Sequence, residues 1–410
     1  MRSGHRVQIV SQYFDPEVTA ASYRLLPLAA GLAKRGHDVE VLCAVPNHPE
    51  GSVREGFRGR AQVRREIDGV GVRHVWLRPS PAKGLRARAI GYGTFALGAT
   101  LAGLASRRAD VVIASSPPLS VAPVGALLAR RHRCPWILDV RDLWPQIAVE
   151  LGEVSSPRAI RALERLERFS YRSAAAATTP TRPFADHIAA ICGEPEKVRV
   201  LTNGTTRAWL EAGGSEPDRT ELGPDADDGF VWTYAGNVGL SQDLETAIEA
   251  ARELGPGFSL RILGTGASLD RLKQLAAERA PGLVRFHEPV QPVAAARFAR
   301  ASDALLVPLA DVPATGRSIP IKLYDFCATG RPVIVAAPGE PARIAREAGC
   351  GLVVPPGDPD ALAAAVRQLR AEPALAARLG AAGIAFARVH LRDSQVPALE
   401  ALIESVVSSR

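Results

Sequence analysis

Thr315–Ala336 reads TGRSIPIKLYDFCATGRPVIVA, a polar turn that runs into a short helix and then into an apolar strand. Ser318 is placed to cap the helix, Pro320 falls in the first turn where no N–H is needed, and Thr329-Gly330 before Pro332 ends it. A helix leading straight into a continuously apolar strand, Val333–Ala336, is part of a βαβ crossover in a parallel sheet. Lys322 and Asp325 stand three apart and share one face, while Leu323, Phe326 and Cys327 point elsewhere. A cation and a carboxylate near a helix N-terminus suit a ligand carrying both phosphate and hydroxyl groups; the plainer alternative is a surface ion pair.

Upstream and downstream of this stretch the same alternation recurs. FVWTYAG, SLRILGTG, LVRFHE, ALLVPL, PVIVAA and GLVVP each precede a helical segment, and helices follow from about Asp360 to the C-terminus. Before Thr205, Val7–Val10, DVEVLCAV, Val72–Leu77, Asp110–Ser115, Trp136–Val140 and Ala175–Thr179 form an earlier series of the same kind. The stretch EAGGSEPDRTELGPDADDG, rich in Gly, Pro and Asp, reads as a surface connection between them. A chain of 410 residues exceeds one core, so two doubly wound α/β domains are expected, with a cleft at the carboxyl ends of their strands.

Two Gly-rich turns follow strands of the second series. Tyr234-Ala-Gly-Asn-Val-Gly239 leads toward a helix expected at Gln242–Leu254, and Leu263-Gly-Thr-Gly266 repeats the device one unit later. Gly236, Gly239 and Gly264 would let a phosphate approach backbone N–H groups, with Lys322 supplying charge and Asp325 gripping a ribose diol; tight strand–helix packing explains such turns equally well. In the first series, Asp139-Val-Arg-Asp-Leu-Trp-Pro145 sets two carboxylates and an arginine at a strand end, beside Trp144. Either Arg141 and Asp142 brace that loop, or one of them stands at the reacting centre.

The charge is uneven. Through Thr205 there are 29 Lys+Arg against 18 Asp+Glu, net +11, and beyond it 21 against 25, net −4. The basic half consists of scattered arginines without interleaved aromatics, so an anionic membrane surface or a phosphorylated substrate fits better than nucleic acid. Ile90–Ala105, flanked by Arg86, Arg88, Arg107 and Arg108, is short for a bilayer span and reads as an interfacial or buried helix. MRSGHRVQIVSQYF lacks the long apolar region and cleavage site of a signal peptide. Cys43, Cys134, Cys192, Cys327 and Cys350 are isolated in or beside apolar runs, which suggests buried free thiols in a reducing compartment and no metal site.

QYFDPE with Arg24, RGHDVEVL, PNHPEG, RDLWP, LTNG, YAGNVGLSQDLETAIEA, IPIKLYDFCATGRPVI and GCGLVVPPGDPDALA follow one another along nearly the whole chain. Their order and spacing resemble the family 4 retaining glycosyltransferases of GT-B fold, especially those of bacterial O-antigen, capsular and exopolysaccharide assembly. The resemblance implies two Rossmann-like domains facing a cleft: residues 1–203 plus a crossover helix at about 390–410 for the acceptor, and residues 204–389 for the nucleotide sugar. It implies donor contacts from Gly236, Asn237, Gly239, Gly264, Arg317, Lys322, Leu323 and Asp325, acceptor contacts from Glu17, Arg24 and Trp144, and chemistry at Asp142 and Arg141. It also implies no cofactor and no metal.

The departures from the family pattern are local. Arg317 stands where the first acid of the family's paired Glu motif is usual, and Asp325 replaces the second. Asn237 and, approximately, Gln242 occupy the places of a diphosphate-binding Arg and Lys. Arg141 stands where a His usually precedes the Asp.

The expected activity is transfer of a hexosyl or N-acetylhexosaminyl group, with retention, from a nucleotide diphosphate sugar to a lipid-linked saccharide. Asp142 would stabilise an oxocarbenium-like sugar or orient the acceptor. The expected location is cytoplasmic, peripheral at the inner face of the plasma membrane. The rivals are a sugar-nucleotide 2-epimerase of the same fold and a two-lobed sugar-binding protein.

Overall fold

In a computed structural model, the described residues are 4–17, 19–47, 51–80, 85–223 and 229–409, with Leu85 and Arg86 described as backbone only. The Arg86 side chain, His48-Pro49-Glu50 of the PNHPEG stretch and residues 224–228 of the polar connection therefore lie outside the described residues. The chain divides into two units, Met1–Thr202 with Arg392–Arg410, and Asn203–Leu391.

The first unit is built on eight strands: β1 (Arg6–Val10), β2 (Asp38–Ala44), β3 (Gln62–Ile67), β4 (Val70–Val75), β5 (Val111–Ser116), β6 (Trp136–Val140), β7 (Ala176–Thr179) and β8 (Val198–Val200). Their order in the sheet is β3-β4-β2-β1-β5-β6-β7-β8. All neighbours are parallel except β3 and β4, an antiparallel hairpin. That hairpin departs from the all-parallel expectation, and its signal is Asp68-Gly69, both at positive φ (50° and 79°), the pair that a tight two-residue turn demands. The reversal of strand order between β1 and β5 is where ligands sit in open α/β sheets.

Apolar residues cover both faces of this sheet. On one face β1 and β2 pack against the helices Ala20–Lys34 and Val396–Ser408. On the other, the helices Leu85–Leu104, Val121–His132, Pro157–Ser173 and Arg182–Cys192 enclose Phe95, Leu128, Tyr171 and Phe184. The final helix thus belongs to the first unit, where Glu400 pairs with His37 at 2.9 Å. No helix among the described residues is long and apolar enough to cross a membrane. All five cysteines are free; Cys134 is half-buried and the others are buried.

The second unit carries β9 (Phe230–Ala235), β10 (Phe258–Leu263), β11 (Val284–His287), β12 (Ala304–Pro308), β13 (Val333–Ala336) and β14 (Gly351–Val354), in the order β11-β10-β9-β12-β13-β14. Every pairing is parallel. Its reversal point lies between β9 and β12, so the turn leaving β9 opens at the expected ligand position. The Gly/Pro/Asp-rich stretch lies inside this unit, and part of it is ordered helix, Arg207–Gly214, with Trp209 in the core. The unit begins earlier, at Asn203, because Thr205 donates to the buried Asp325 at 2.8 Å.

Candidate active site

In the second unit the helix Ile321–Ala328 and the turn after β9 converge on one lysine. Lys322 Nζ lies 2.6 Å from Tyr234 Oη and 3.8 Å from the centre of the same ring. Tyr234, at the end of β9, is fully buried, and its hydroxyl donates to the Asn237 carbonyl, so it ties the lysine to the turn. Burial lowers the Lys322 ammonium to about 7. No carboxylate pairs with Lys322 among the described residues, so the surface ion pair with Asp325 is not what forms. A half-buried cation without a counter-ion, beside the exposed Gly236-Asn237 backbone, is a seat for an anion.

The remaining residues around this turn sort by burial. Gly264 is buried beneath the turn, and a Cβ built there would stand 2.0 Å from the Gly236 carbonyl oxygen. Its glycine is required by turn-on-turn packing, and Gly264 offers no surface to a ligand. The Gly239 N–H is held by Gln242 Oε1 at 3.1 Å. The helix expected from Gln242 begins at Leu244, because Leu240–Gln242 form a 3₁₀ turn and Asp243 takes a left-handed φ of 42°. Asp243 accepts from Thr246 Oγ1 at 2.7 Å, so a carboxylate already occupies that helix start.

Ser318 does not cap the following helix, whose N-cap is Pro320; its hydroxyl turns back to the Thr315 carbonyl at 3.4 Å. Leu323 points into the core and presents no side chain to a donor. Arg317 ends a short helix, Pro313–Arg317, and is half-buried. Asp325 is buried with the Thr205 hydroxyl on Oδ1.

In the first unit, Asp139 at the end of β6 is a hub. It accepts Arg24 Nη2 at 2.9 Å, Ser115 Oγ at 2.8 Å and Thr178 Oγ1 at 2.9 Å. Burial alone would raise this carboxyl, but the Arg24 charge and hydrogen bond, with Arg141 and Ser115, hold it below its ordinary value. Arg24 also donates to the Leu201 carbonyl at 3.0 Å and is buried, so it braces the sheet ends. Glu17 is likewise buried and accepts the Asn47 N–H at 2.7 Å.

Arg141 bonds Ser115 Oγ at 3.0 Å and the Pro117 carbonyl at 2.7 Å, and burial lowers its pKa against the pull of Asp139 and Asp142. Asp142 is the free group of this cluster. Burial pushes its carboxyl up to about 6 although Arg141 opposes the shift, and no described residue donates a hydrogen bond to it. Trp144, two residues on, is half-buried. The Tyr13 hydroxyl, raised by burial and then by Tyr92 and Glu17, feels the charge of Arg141 from the loop after β1.

Each unit thus carries its own candidate site: an anion seat of Lys322, Tyr234 and the Gly236-Asn237 turn in the second, and in the first the Asp142 carboxylate, with a pKa of about 6, beside the Arg24–Asp139–Arg141 scaffold. Tyr234 was hidden behind the glycines that follow it; a polar ring tip ending a parallel strand is the signal that marks it. Among the described residues no cluster of three or more His, Cys, Asp or Glu stands ready for a metal ion.

Comparison with known proteins agrees with this architecture. Residues 19–204 match the glycosyl transferase 4-like domain, and residues 217–386 match the glycosyl transferases group 1 domain. The glycosyltransferase WbjE of Pseudomonas aeruginosa is 27% identical over 271 residues, 64% of this chain and 67% of that protein. WcaI of Escherichia coli (strain K12), named for colanic acid biosynthesis, is 25% identical over 373 residues, 87% of this chain and 89% of its own. The structure of Anabaena HepE in complex with UDP and glucose superposes with a TM-score of 0.73 at 15% identity, over 98% of this chain and 100% of that one, and shows the shared fold. With both domain models matched in order along its two units, the chain belongs to the family 4 glycosyltransferases of GT-B fold.

Proposed function

We propose that this glycosyltransferase moves a sugar, with retention of configuration, from a nucleotide diphosphate to a lipid-linked saccharide in bacterial surface polysaccharide assembly. The observation that carries the donor reading is Lys322: a half-buried ammonium with no carboxylate partner among the described residues, fixed by Tyr234 beside an exposed glycine turn. A diphosphate leaving group supplies the missing negative charge, and its departure is favoured by a preorganised cation. Asp325 is assigned to the ribose hydroxyls. On the first unit, Asp142 is assigned to the acceptor hydroxyl, since a carboxylate with a pKa of about 6 can take up a proton near neutral pH. The diphosphate charge is assigned to Lys322, without a metal cofactor. The name of WcaI, with colanic acid biosynthesis in it, supports a polysaccharide product, and the UDP bound to HepE supports a nucleotide-sugar donor.

The test is a thermal-shift screen of UDP, GDP and dTDP and their sugars, followed by transfer to a lipid-linked saccharide with the product anomer read by NMR. A selective diphosphate at a hundred times its Kd should add about 2.7 kcal/mol of stability. Stabilisation by no nucleotide diphosphate would overturn the donor assignment, and conversion of the sugar without any acceptor would favour the epimerase.

A further inference from the structure

We infer that the outer helix layer of the first unit docks on an anionic phospholipid bilayer, and that its charge comes from the helix Pro157–Ser173. This deepens the proposed lipid-linked acceptor and rests on that reading for its purpose, though not for its geometry. Arg158, Arg161, Arg165, Arg168 and Arg172 recur at alternating intervals of three and four, so they form one stripe, and all five are exposed. Glu167, Ser170 and Tyr171 face inward from the same helix, with Glu167 held by His187 at 3.0 Å. Among the described residues the first four arginines of the stripe make no ion pair; Arg172 gives its Nε to the Ile191 carbonyl at 3.3 Å. Like charges at this spacing repel and work against the helix; Glu164, exposed between Arg161 and Arg168, offsets one of the five, and an anionic partner outside the protein would relieve the rest.

The arginines flanking the neighbouring apolar helix cannot supply this charge in the same way. Arg88 is paired with Glu153 at 3.1 Å, Arg107 with Asp38 at 3.4 Å, and Arg108 donates to the His132 carbonyl at 2.8 Å, while the Arg86 side chain is outside the described residues. That helix, Leu85–Leu104, contributes aliphatic surface instead: Leu97 is 62% exposed and Leu101 is 59% exposed, four residues apart on one face. Both helices pack on Val121–His132, so apolar and cationic stripes belong to one layer. Phe169 lies in the open beside the arginines, 44% exposed. A polyanion would satisfy the arginines but leave Leu97 and Leu101 in water, whereas a bilayer with anionic headgroups satisfies both.

The experiment is co-sedimentation of the full chain with phosphatidylglycerol-rich and with pure phosphatidylcholine vesicles, no acceptor or nucleotide present. Binding to the anionic vesicles should be lost at about 1 M NaCl, where the screening length is about 3 Å. Arg161→Glu with Arg165→Glu and Arg168→Glu should weaken it by roughly a hundredfold or more, from about fivefold per basic residue at an anionic surface. Leu97→Ser with Leu101→Ser should weaken it while leaving its salt dependence. Should the Glu triple variant fail to fold, the Gln triple variant decides, with an expected loss in the same direction. Wild-type binding by the triple variant, or no binding to anionic vesicles at low salt, overturns the proposal. Nucleotide binding measured on the same samples separates the two readings, because it belongs to the other unit and should be unchanged in every variant.

Discussion

Lys322 and Tyr234 meet at 2.6 Å between Nζ and Oη, across 88 positions of sequence, and the tyrosine passes the contact on to the Asn237 carbonyl. Helix, strand and glycine turn are thereby joined through one phenol. Tyr234→Phe keeps the ring and removes both hydrogen bonds, so nucleotide diphosphate affinity should fall about fivefold to tenfold, the scale of one neutral bond. Lys322→Ala should cost about 1.5–3 kcal/mol, as for a bond to a charged group. Lys322→Arg should recover only part, because Nζ already lies 3.2 Å from where a Gly236 Cβ would be. Calorimetric titration checks all three; equal affinities would remove Lys322 from the donor site.

Lys322 also sets a pH dependence. Burial holds it at about 7 in the free protein, so above that pH the lysine is neutral and must take up a proton to meet a diphosphate. Donor affinity should be flat below about pH 7 and fall by up to about tenfold per unit above it. Titrations at pH 8 in buffers of different ionisation enthalpy should show uptake of about one proton, and Lys322→Ala should abolish it.

Asp142→Asn should lower turnover by at least about a hundredfold and leave nucleotide affinity unchanged. Its effect on stability has the opposite sign. The folded carboxyl sits at about 6 and an unfolded one near 3.9, so the folded state binds more protons in between, and stability falls as pH rises through that window. The variant should therefore melt higher than wild type above pH 6, with the gain vanishing below about pH 4. A lower melting temperature at pH 7.5 would give Asp142 a structural role.

Asp139 behaves in the reverse way. Its pKa is depressed by Arg24, so its contribution is present above about pH 3.9 and is lost as pH falls through the folded value. Removing one partner of this buried pair, by Asp139→Ala or Arg24→Ala, should cost about 3–5 kcal/mol. Urea unfolding of the first unit measures it, and a loss under 1 kcal/mol would contradict the hub.

The two glycine turns should respond differently to alanine. Gly264→Ala forces a Cβ to 2.0 Å from a backbone oxygen at a φ of 144° and should cost roughly 2–5 kcal/mol. Gly239→Ala meets only the tips of Asn237 and Gln242, at 2.6 and 2.9 Å, which can rotate away. Similar melting temperatures for both variants would mean that the Gly264 turn opens instead of resisting.

The βα alternation is legible because strands buried on both faces must be mostly apolar, as the run Val41–Ala44 is. The β3–β4 hairpin is written in Asp68-Gly69 but lies among charged residues, Arg64, Arg65 and Glu66, which mask the strand. Lys322 can be read as a candidate binding residue from its neighbours on the helix. Its dependence on Tyr234 cannot, since no local pattern links residues on different strands and helices. The DVRDLWP stretch shows two carboxylates but not their division of labour: Asp139 is neutralised by an arginine 115 positions earlier, and that leaves Asp142 as the titrating one. Leu97 and Leu101 look like core in a sequence and stand in the open only once the sheet is built.

Because residues 392–410 belong with Met1–Thr202, the unit that begins first on the ribosome is the last to be completed. Val396, Leu399, Leu402 and Ile403 close the apolar face formed by Leu25, Leu28 and Leu32, and they emerge only after all of Asn203–Leu391. The second unit is continuous and can settle as soon as it has cleared the exit tunnel. During synthesis the first unit must hold an uncovered hydrophobic surface for the time needed to make its neighbour. A fragment ending at Thr202 would keep that surface permanently, and it should aggregate or recruit holdase chaperones where the intact chain does not.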